Sequence, residues 1–527
     1  MEKNLTTGSV GRQLIGFSLP YLLSYLLQTL YGMADLFIIG RYEGVAGPAA
    51  VAVGSQVMHM LTVMIVGLAM GTTVSIARAI GADDRPQAAA ATGNTVTLFL
   101  SLSLVLTVGL LLRRPITAVM STPEAAVEGT VRYLTICFPG IPCITAYNTL
   151  SAIFRGMGDS KSPMIFIFIA CLANIALDYL FIGALHLGPA GAALGTSLSQ
   201  AISVAISLAV IVRRRTMPLA KADLRPQKPV MDAILKIGIP ISVQDGFIQI
   251  SFIVITVIAN GRGLTGAAAV GIVEKIIGFL FLVPSSMLSA VCALGAQNLG
   301  AGKPERAKQT LFWAIGLACG FGAVTVVAVQ FLAEPLVGLF TPDQAAVLAG
   351  GQYLRGYIWD SFFAGVQFSF SGYFCACGRS GLSFLHNFLS IVCVRIPGAY
   401  LTSRLFPQTL LPMGLANAAG SLFSICARWI CPCRLFWLGQ TLRITDCSQL
   451  ELPTIQLARE QTEALIFLGK IGVSVSEKHL RAGDFSQYDG MFLAPDGFSR
   501  EITLIDYGLT NDTEKFVTEI TIPVREA

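Results

Sequence analysis

Charged residues in this chain are separated by long apolar intervals. Between Arg12 and Arg41 the only charge is Asp35, and the stretches Arg85 to Arg113, Arg132 to Arg155, Lys275 to Lys303 and Lys308 to Glu334 contain none. A helix needs about 20 apolar residues to cross the hydrocarbon core of a bilayer, so each interval predicts a membrane span. Read with the Gly, Pro and Arg punctuation, the pattern predicts twelve spans. They fall at about 14–40, 48–77, 88–112, 132–154, 163–185, 189–212, 234–260, 265–295, 309–332, 352–375, 381–403 and 411–438. The last contains Arg428, Arg434 and a Cys431-Pro432-Cys433 stretch, and is expected to be short or distorted. A cleaved secretory leader is a poor reading of the first interval, which runs on through Asp35 and is followed by many more.

The pattern repeats with an offset near 220 residues. Pro20 recurs as Pro240, Gly81-Ala82 with Pro86 as Gly300-Ala301 with Pro304, and Pro115 as Pro335. The segment STPEAAVEGTVRYL recurs as FTPDQAAVLAGGQYL, aligning Tyr133 with Tyr353. Six spans per copy is an even number, so both copies enter the membrane from the same side as parallel repeats. The expected organisation is a six-helix lobe at 1–212, a linker at 213–233, a second lobe at 234–440 and a tail at 448–527. The even-numbered connections and the N-terminus carry most of the basic residues, including Arg78, Arg155, Arg213, Arg214, Arg215, Lys303 and Arg379. By the positive-inside rule the N-terminus, linker and tail face the cytoplasm.

Composition agrees with a membrane protein and divides the chain. Only 13% of its 527 residues are charged, against about a quarter in soluble proteins. Residues 1–447 hold 29 Lys+Arg and 18 Asp+Glu, whereas residues 448–527 hold 7 and 13. The overall net charge of +5 is therefore a basic membrane segment offset by an acidic tail, and does not point to nucleic acid. The twelve cysteines and four histidines form no spacing suited to a metal or redox site. No nucleophile and base constellation or nucleotide loop stands out, so an enzyme is not expected.

Several stretches carry a family resemblance. RQLIGFSLPYLLSYLLQTLYGMADLFIIGRY, GSQVMHMLTVMIVGLAMGTTVSIARAIGA, FRGMGDSKSP and NIALDYLFI followed by GPAGAALGTSLSQ occur in order. Over about residues 8–425 the chain resembles the multidrug and toxic compound extrusion (MATE) family. The resemblance implies an all-α polytopic exporter of two six-helix lobes in a bacterial-type inner membrane. It would be driven by a proton or sodium gradient, with no other cofactor, and would carry lipophilic, cationic drug-like molecules through a lipid bilayer as a monomer. A lipid or polysaccharide-precursor flippase, which would favour a more basic cavity, and a membrane-tethered drug sensor are the alternatives.

Ionisable residues inside spans are costly and mark function by default. Asp35 lies on the first span and Asp178 on the fifth, with Asn174 one turn earlier on the same face. From the 1.5 Å rise per residue, Asp35 sits about 8 Å, and Asp178 and Thr196 about 10 Å, below the outer ends of their helices. The four therefore share a layer. Two carboxylates, an amide and a hydroxyl suit a hard cation such as sodium, or a proton shared between the carboxylates; a structural hydrogen bond between helices is the plainer reading. The resemblance adds Tyr133 and Asn148 as cavity or relay positions and Pro20 as the point where the first helix bends. Asn174 aligns with Val394 and Asp178 with Gly398 in the second copy, so the coupling site is expected in one lobe only. Glu274, Lys275, Asp360 and Arg395 are expected to form ion pairs between helices there, with Glu274 a lesser candidate for the substrate cavity. One acidic subgroup of the family carries a carboxylate eight residues past the second lobe's first proline, where this chain has Ile248.

In the tail, ITLIDYGLTN and KFVTEITIPV alternate as strands do. LGKIGVSVSEKHLRAGDFSQYDGMFLAPD with REITLIDYGLTNDTEKFVTEITIPV resembles parts of the effector-binding domain of MerR-type multidrug regulators. That resemblance implies an incomplete α+β fragment, with Glu519 as its one tempting ligand position.

Overall fold

The computed structural model describes residues 4–43, 46–120, 122–214, 223–430, 491–492 and 502–503. Residues 1–427 form one compact unit. Its first half contains α1 (Val10–Tyr42), α2 (Ala46–Gly81), α3 (Arg85–Val108), α4 (Arg113–Val119), α5 (Glu124–Gly156), α6 (Lys161–Asp178) and α7 (Pro189–Arg214). The second half contains α8 (Lys228–Asn260), α9 (Leu264–Leu280), α10 (Leu282–Gly300), α11 (Pro304–Gly338), α12 (Gln344–Tyr357), α13 (Trp359–Ala376), α14 (Ser380–Ser390), α15 (Ile396–Leu405) and α16 (Leu411–Ile430). Every predicted span meets a helix or an interrupted helix.

Among the described residues ten helical stretches are long and apolar enough to cross a bilayer. The other two predicted spans differ. The 352–375 span is broken at Ile358 into α12 and α13, and the last is a shorter apolar helix, Leu411–Cys426. Breaks elsewhere have a visible cause: α10 restarts just ahead of Pro284, and a π-turn at Ile391–Arg395 precedes Pro397. A proline removes a backbone donor and crowds the preceding turn, so the ladder widens or stops there. Large apolar side chains on α3 and α11, among them Leu104, Val105, Val324 and Phe331, are more than half exposed. In water such faces would drive aggregation, whereas lipid solvates them.

The repeat read from the sequence is visible in local geometry. Gly158 and Gly378, 220 positions apart, both take positive φ, +83° and +73°. The Gly158 and Asp159 amides donate to the carbonyls of Arg155 and Phe154, and those of Gly378 and Arg379 to Cys375 and Phe374. That is the same helix-ending turn twice. Gly81 and Gly300 pack reciprocally: a Cβ on Gly81 would overlap the Gln297 carbonyl oxygen, and one on Gly300 the Arg78 carbonyl oxygen. Since Gly81 to Gly300 and Arg78 to Gln297 are the same 219-residue step, the contact has the pairing of a local two-fold axis. Close glycine approach of this kind is what holds helices together where lipid replaces water.

The halves touch at one end. Met70, Val74 and Ala77 of α2 share an apolar cluster with Ile237, Ile241, Cys292, Ala296 and Cys375. Arg78 Nε and Nη2 donate to the Ala376 carbonyl at 3.1 and 2.6 Å, and the N-terminal segment crosses over through Leu5 N to Gln297 Oε1 at 2.8 Å. Residues 223–227 are tied to α3, with the Thr97 hydroxyl on Leu224 O and Gln227 N on Asn94 Oδ1, at 2.8 and 2.7 Å. At the opposite end each half keeps its own core, one around Ile38, Val51, Leu134 and Ile182, the other around Val270, Val273, Val329 and Tyr357. Along α2 the burial follows: residues 67–77 are almost wholly enclosed, while Ala52, Gln56 and His59 are exposed. A cleft therefore opens between the halves away from the basic loops.

In the tail, Met491–Phe492 and Ile502–Thr503 pair antiparallel, with Met491 opposite Thr503. The second pair member starts the predicted strand ITLIDYGLTN. The rest of the regulator-like segment, the second predicted strand, Glu519 and the Cys431-Pro432-Cys433 stretch lie outside the described residues.

Candidate ion-coupling site

Asp35, Asn174, Asp178 and Thr196 come together inside the first half. Asp35 of α1 is 4% exposed, and Asn174 and Asp178 of α6 are 1% and 0% exposed. The Thr196 hydroxyl of α7 donates to Asp35 Oδ2 at 3.2 Å, and the Asp178 and Asn174 side chains stand beside the same carboxylate without a hydrogen bond to it. Two local features make room. Directly after Asp178 the helix widens into a π-turn, Tyr179–Ala184, a device common at functional positions. Gly195 carries no side chain where a Cβ would overlap Asp178 Oδ1 and lie 3.6 Å from Asn174 Nδ2.

The electrostatics are unbalanced. Asp35 Oδ1, both Asp178 oxygens and both polar atoms of Asn174 are buried without a hydrogen-bond partner. Among the described residues no Lys, Arg or His forms an ion pair with either aspartate. Two unpaired carboxylates side by side in a low-dielectric interior cannot both remain charged alone. They need a proton or a cation, and the orphaned oxygens with the amide and hydroxyl are a donor set that fits a hard cation.

The other predicted positions are placed as follows. Tyr133 is 2% exposed and its ring packs on Gly54, inside the half that holds the cluster and away from the cleft. Asn148 donates to Ile144 O of its own helix at 2.9 Å. Pro20 interrupts the ladder within a continuous α1, and the Ser24 hydroxyl bonds the Pro20 carbonyl at 2.9 Å; from there to Asp35 is about 22 Å along the helix. Glu274 turns into the second half, where the Thr256 hydroxyl donates to its Oε2 at 3.2 Å.

The second half holds a buried polar layer of its own. Arg395 Nη2 donates to Asp360 Oδ2 at 2.9 Å and to the Ser421 hydroxyl at 2.7 Å, and Asn417 Nδ2 donates to the Tyr353 hydroxyl at 3.1 Å. The four predicted network members thus separate, Asp360 with Arg395 and Glu274 with Thr256, while Lys275 is exposed. The Asp360–Arg395 pair is the expected ion pair between helices; Ser421, Asn417 and Tyr353, which complete the layer, were not singled out because uncharged polar residues in a span give no comparable signal. Sequence reading also passed over Asp245, on α8 five residues after Pro240 and aligned with Tyr25 at the 220-residue offset. The repeat offset was the signal that leads to it.

A two-lobed, helical membrane protein with a buried acidic cluster in one lobe is the class that fold and site define. The MatE family profile matches residues 20–180 and 240–401, one copy in each half. The chain belongs to the MatE family. It is 29% identical over 431 residues to the Bacillus subtilis "Probable multidrug resistance protein YpnP", covering 81% of this chain and 96% of that one. It is 25% identical over 433 residues to the "FAD transporter" of Shewanella oneidensis, covering 78% and 94%. A crystal structure titled as MATE in the straight conformation superposes with a TM-score of 0.78 at 23% identity, over 83% of this chain and 98% of that one. The family match ends at residue 401, short of the regulator-like tail.

Proposed function

We propose that the protein is a cation-coupled antiporter that expels lipophilic compounds from the cytoplasm by alternating access through twelve spans. The observation that carries this reading is the buried pair Asp35 and Asp178, to which no described residue supplies a cationic side chain. With the basic loops inside, the lobes meet on the cytoplasmic side and the cleft faces out. In that state a proton or sodium ion from outside reaches the cluster in the outer half of the first lobe. Its charge removes the repulsion between the carboxylates, and the end of α1 carrying Asp35 shifts relative to α6 and α7, with Pro20 absorbing the bend. The cleft then releases its cargo outward, and return to the inward state carries the ion in. Coupling follows from the different affinities of the two states for ion and cargo. A relative named as a multidrug resistance protein supports drug-like cargo.

The test is export from reconstituted vesicles under separately imposed proton and sodium gradients. One gradient should drive uptake of a lipophilic dye by inverted molecules, and Asp35→Asn should abolish it while the protein still inserts. Undiminished gradient-driven transport by Asp35→Asn would reject the reading.

A further inference from the structure

At the end where the halves meet, α1 of the first half lies against α11 of the second. One glycine sets the contact: a Cβ on Gly11 would stand 3.3 Å from the Trp313 ring, so the indole packs on bare α1 backbone. Beside it runs a groove of about 530 Å³ lined by Ser9, Gly11, Arg12, Ile15, Gly16 and Trp313. Residues 12, 15, 16 and 19 fall on one face of a helix, and all four are exposed, Ile15 by 48% and Leu19 by 51%. Trp313 is 54% exposed, and nothing stands within 4 Å of where a Gly16 Cβ would be. The groove is therefore open sideways, where the apolar faces of both helices meet lipid.

Charge decides what fits there. Among the described residues Arg12 forms no ion pair. At the start of α11 Lys308 is held by Glu305 at 2.7 Å, whereas Lys303 and Arg306 reach only neutral oxygens of the segment leading into α1, Lys303 Nζ donating to Thr6 O and Arg306 Nη2 to Thr7 O, both at 3.0 Å. Three positive charges thus flank the mouth of the groove without a countercharge among the described residues. Arg12 is two residues into α1 and Leu19 nine, about 3 and 14 Å along the axis, so the charge lies at headgroup level and the apolar face runs inward from it. With the basic connections inside, the leaflet is the cytoplasmic one, whose anionic lipids are drawn to basic clusters of this kind. A zwitterionic headgroup would bring its own cation against three others. An anionic one meets them with phosphate alone, which a guanidinium binds well, and an indole is at home at the same interface.

We propose that this groove seats an anionic phospholipid of the cytoplasmic leaflet, with its phosphate at Arg12 and an acyl chain along Ile15, Gly16 and Leu19 beside Trp313. One wall belongs to each half, so the lipid bridges the halves at the end where they meet. The exporter reading enters only in naming the leaflet that supplies the lipid, and binding is read without any gradient. The experiment titrates the full chain in detergent with phosphatidylglycerol or with phosphatidylcholine of the same acyl chains and counts bound lipid by native mass spectrometry. The first phosphatidylglycerol should bind about tenfold or more tightly than phosphatidylcholine, as three basic residues near a headgroup imply. Arg12→Gln should erase that preference and Arg12→Lys keep part of it, whereas Arg379→Gln, which removes an exposed basic residue from another turn on the same side, should leave it unchanged. Equal binding of the two lipids, an equal loss in Arg12→Gln and Arg379→Gln, or displacement of the lipid by excess inorganic phosphate would overturn the proposal. Absence of gradient-driven export with the lipid preference intact would reject the antiporter reading and leave this one standing.

Discussion

The two halves of the molecule bury acidic residues in their outer portions and neutralise them differently. In the second half the countercharge is built in: Arg395 holds Asp360 at 2.9 Å and is itself held by Ser421. In the first half Asp35 has the Thr196 hydroxyl, and among the described residues neither Asp35 nor Asp178 has a cationic partner. A covalently attached guanidinium cannot leave, so the second half's pair is a fixed element of packing. A charge supplied from outside can come and go, which is what a coupling site requires. The difference teaches that burial of an acid marks function only once its countercharge has been accounted for.

The comparison breaks most sharply at Arg395. Arg395→Leu strands Asp360, which is fully buried, and should cost about 3–5 kcal/mol, read as a large drop in thermal midpoint in detergent. Adding Asp360→Leu should recover most of it, because the pair itself contributes little once both charges are gone. In the first half the same kind of change should have the opposite sign. Asp35→Asn removes one of two repelling carboxylates, so the thermal midpoint should hold or rise while ion-driven export is lost. A strongly destabilised Asp35→Asn would mean that the two clusters are structurally alike.

How much of this was legible beforehand depended on whether a feature follows from pattern or from packing. Charge-free intervals located the helices to within a few residues, as 88–112 against Arg85–Val108 and the helical turn that continues it to Leu112 shows, because membrane crossing is a constraint on composition alone. The layer of Asp35, Asn174, Asp178 and Thr196 was legible from helical rise, since all four sit at similar depth on neighbouring helices. The pairing of Asp360 with Arg395 was legible as an ion pair between helices, whereas the Ser421 hydroxyl that completes the cluster was not, because an uncharged residue on α16 carries no such mark. Glu274 was expected chiefly in a contact between helices, and its partner, the Thr256 hydroxyl, was not legible because sequence spacing does not say which face of α9 meets α8. The break at Phe281 lies in an unbroken apolar run, where only Pro284 hinted at it.

A smaller effect sharpens the comparison through ion linkage. A ligand that binds only the folded state stabilises it by about 2.7 kcal/mol at a hundredfold excess over its dissociation constant. The wild-type midpoint should therefore rise when the coupling ion is supplied, tested once with sodium at fixed pH and once by acidification at fixed sodium. The rise should persist in the Asp360→Leu, Arg395→Leu double variant and vanish in Asp178→Asn. Persistence in Asp178→Asn would move the ion site elsewhere.

The smallest change tests the cluster's hydroxyl. Thr196→Val keeps the shape of the side chain and removes the donor to Asp35 Oδ2. A hydrogen bond to a charged group contributes about 1.5–3 kcal/mol and one to a neutral group about 0.5–1.5 kcal/mol, and the two coupling ions differ in what they ask of Thr196. A bound sodium uses the hydroxyl oxygen as a ligand, so the variant should lose roughly tenfold or more in ion affinity. A shared proton leaves the hydroxyl only as a donor to a carboxyl already neutralised in part, and the loss should be a few-fold. Titrating the ion-dependent rise in thermal midpoint for Thr196→Val against wild type separates these cases, and an unchanged titration would remove Thr196 from the site while leaving the two aspartates in it.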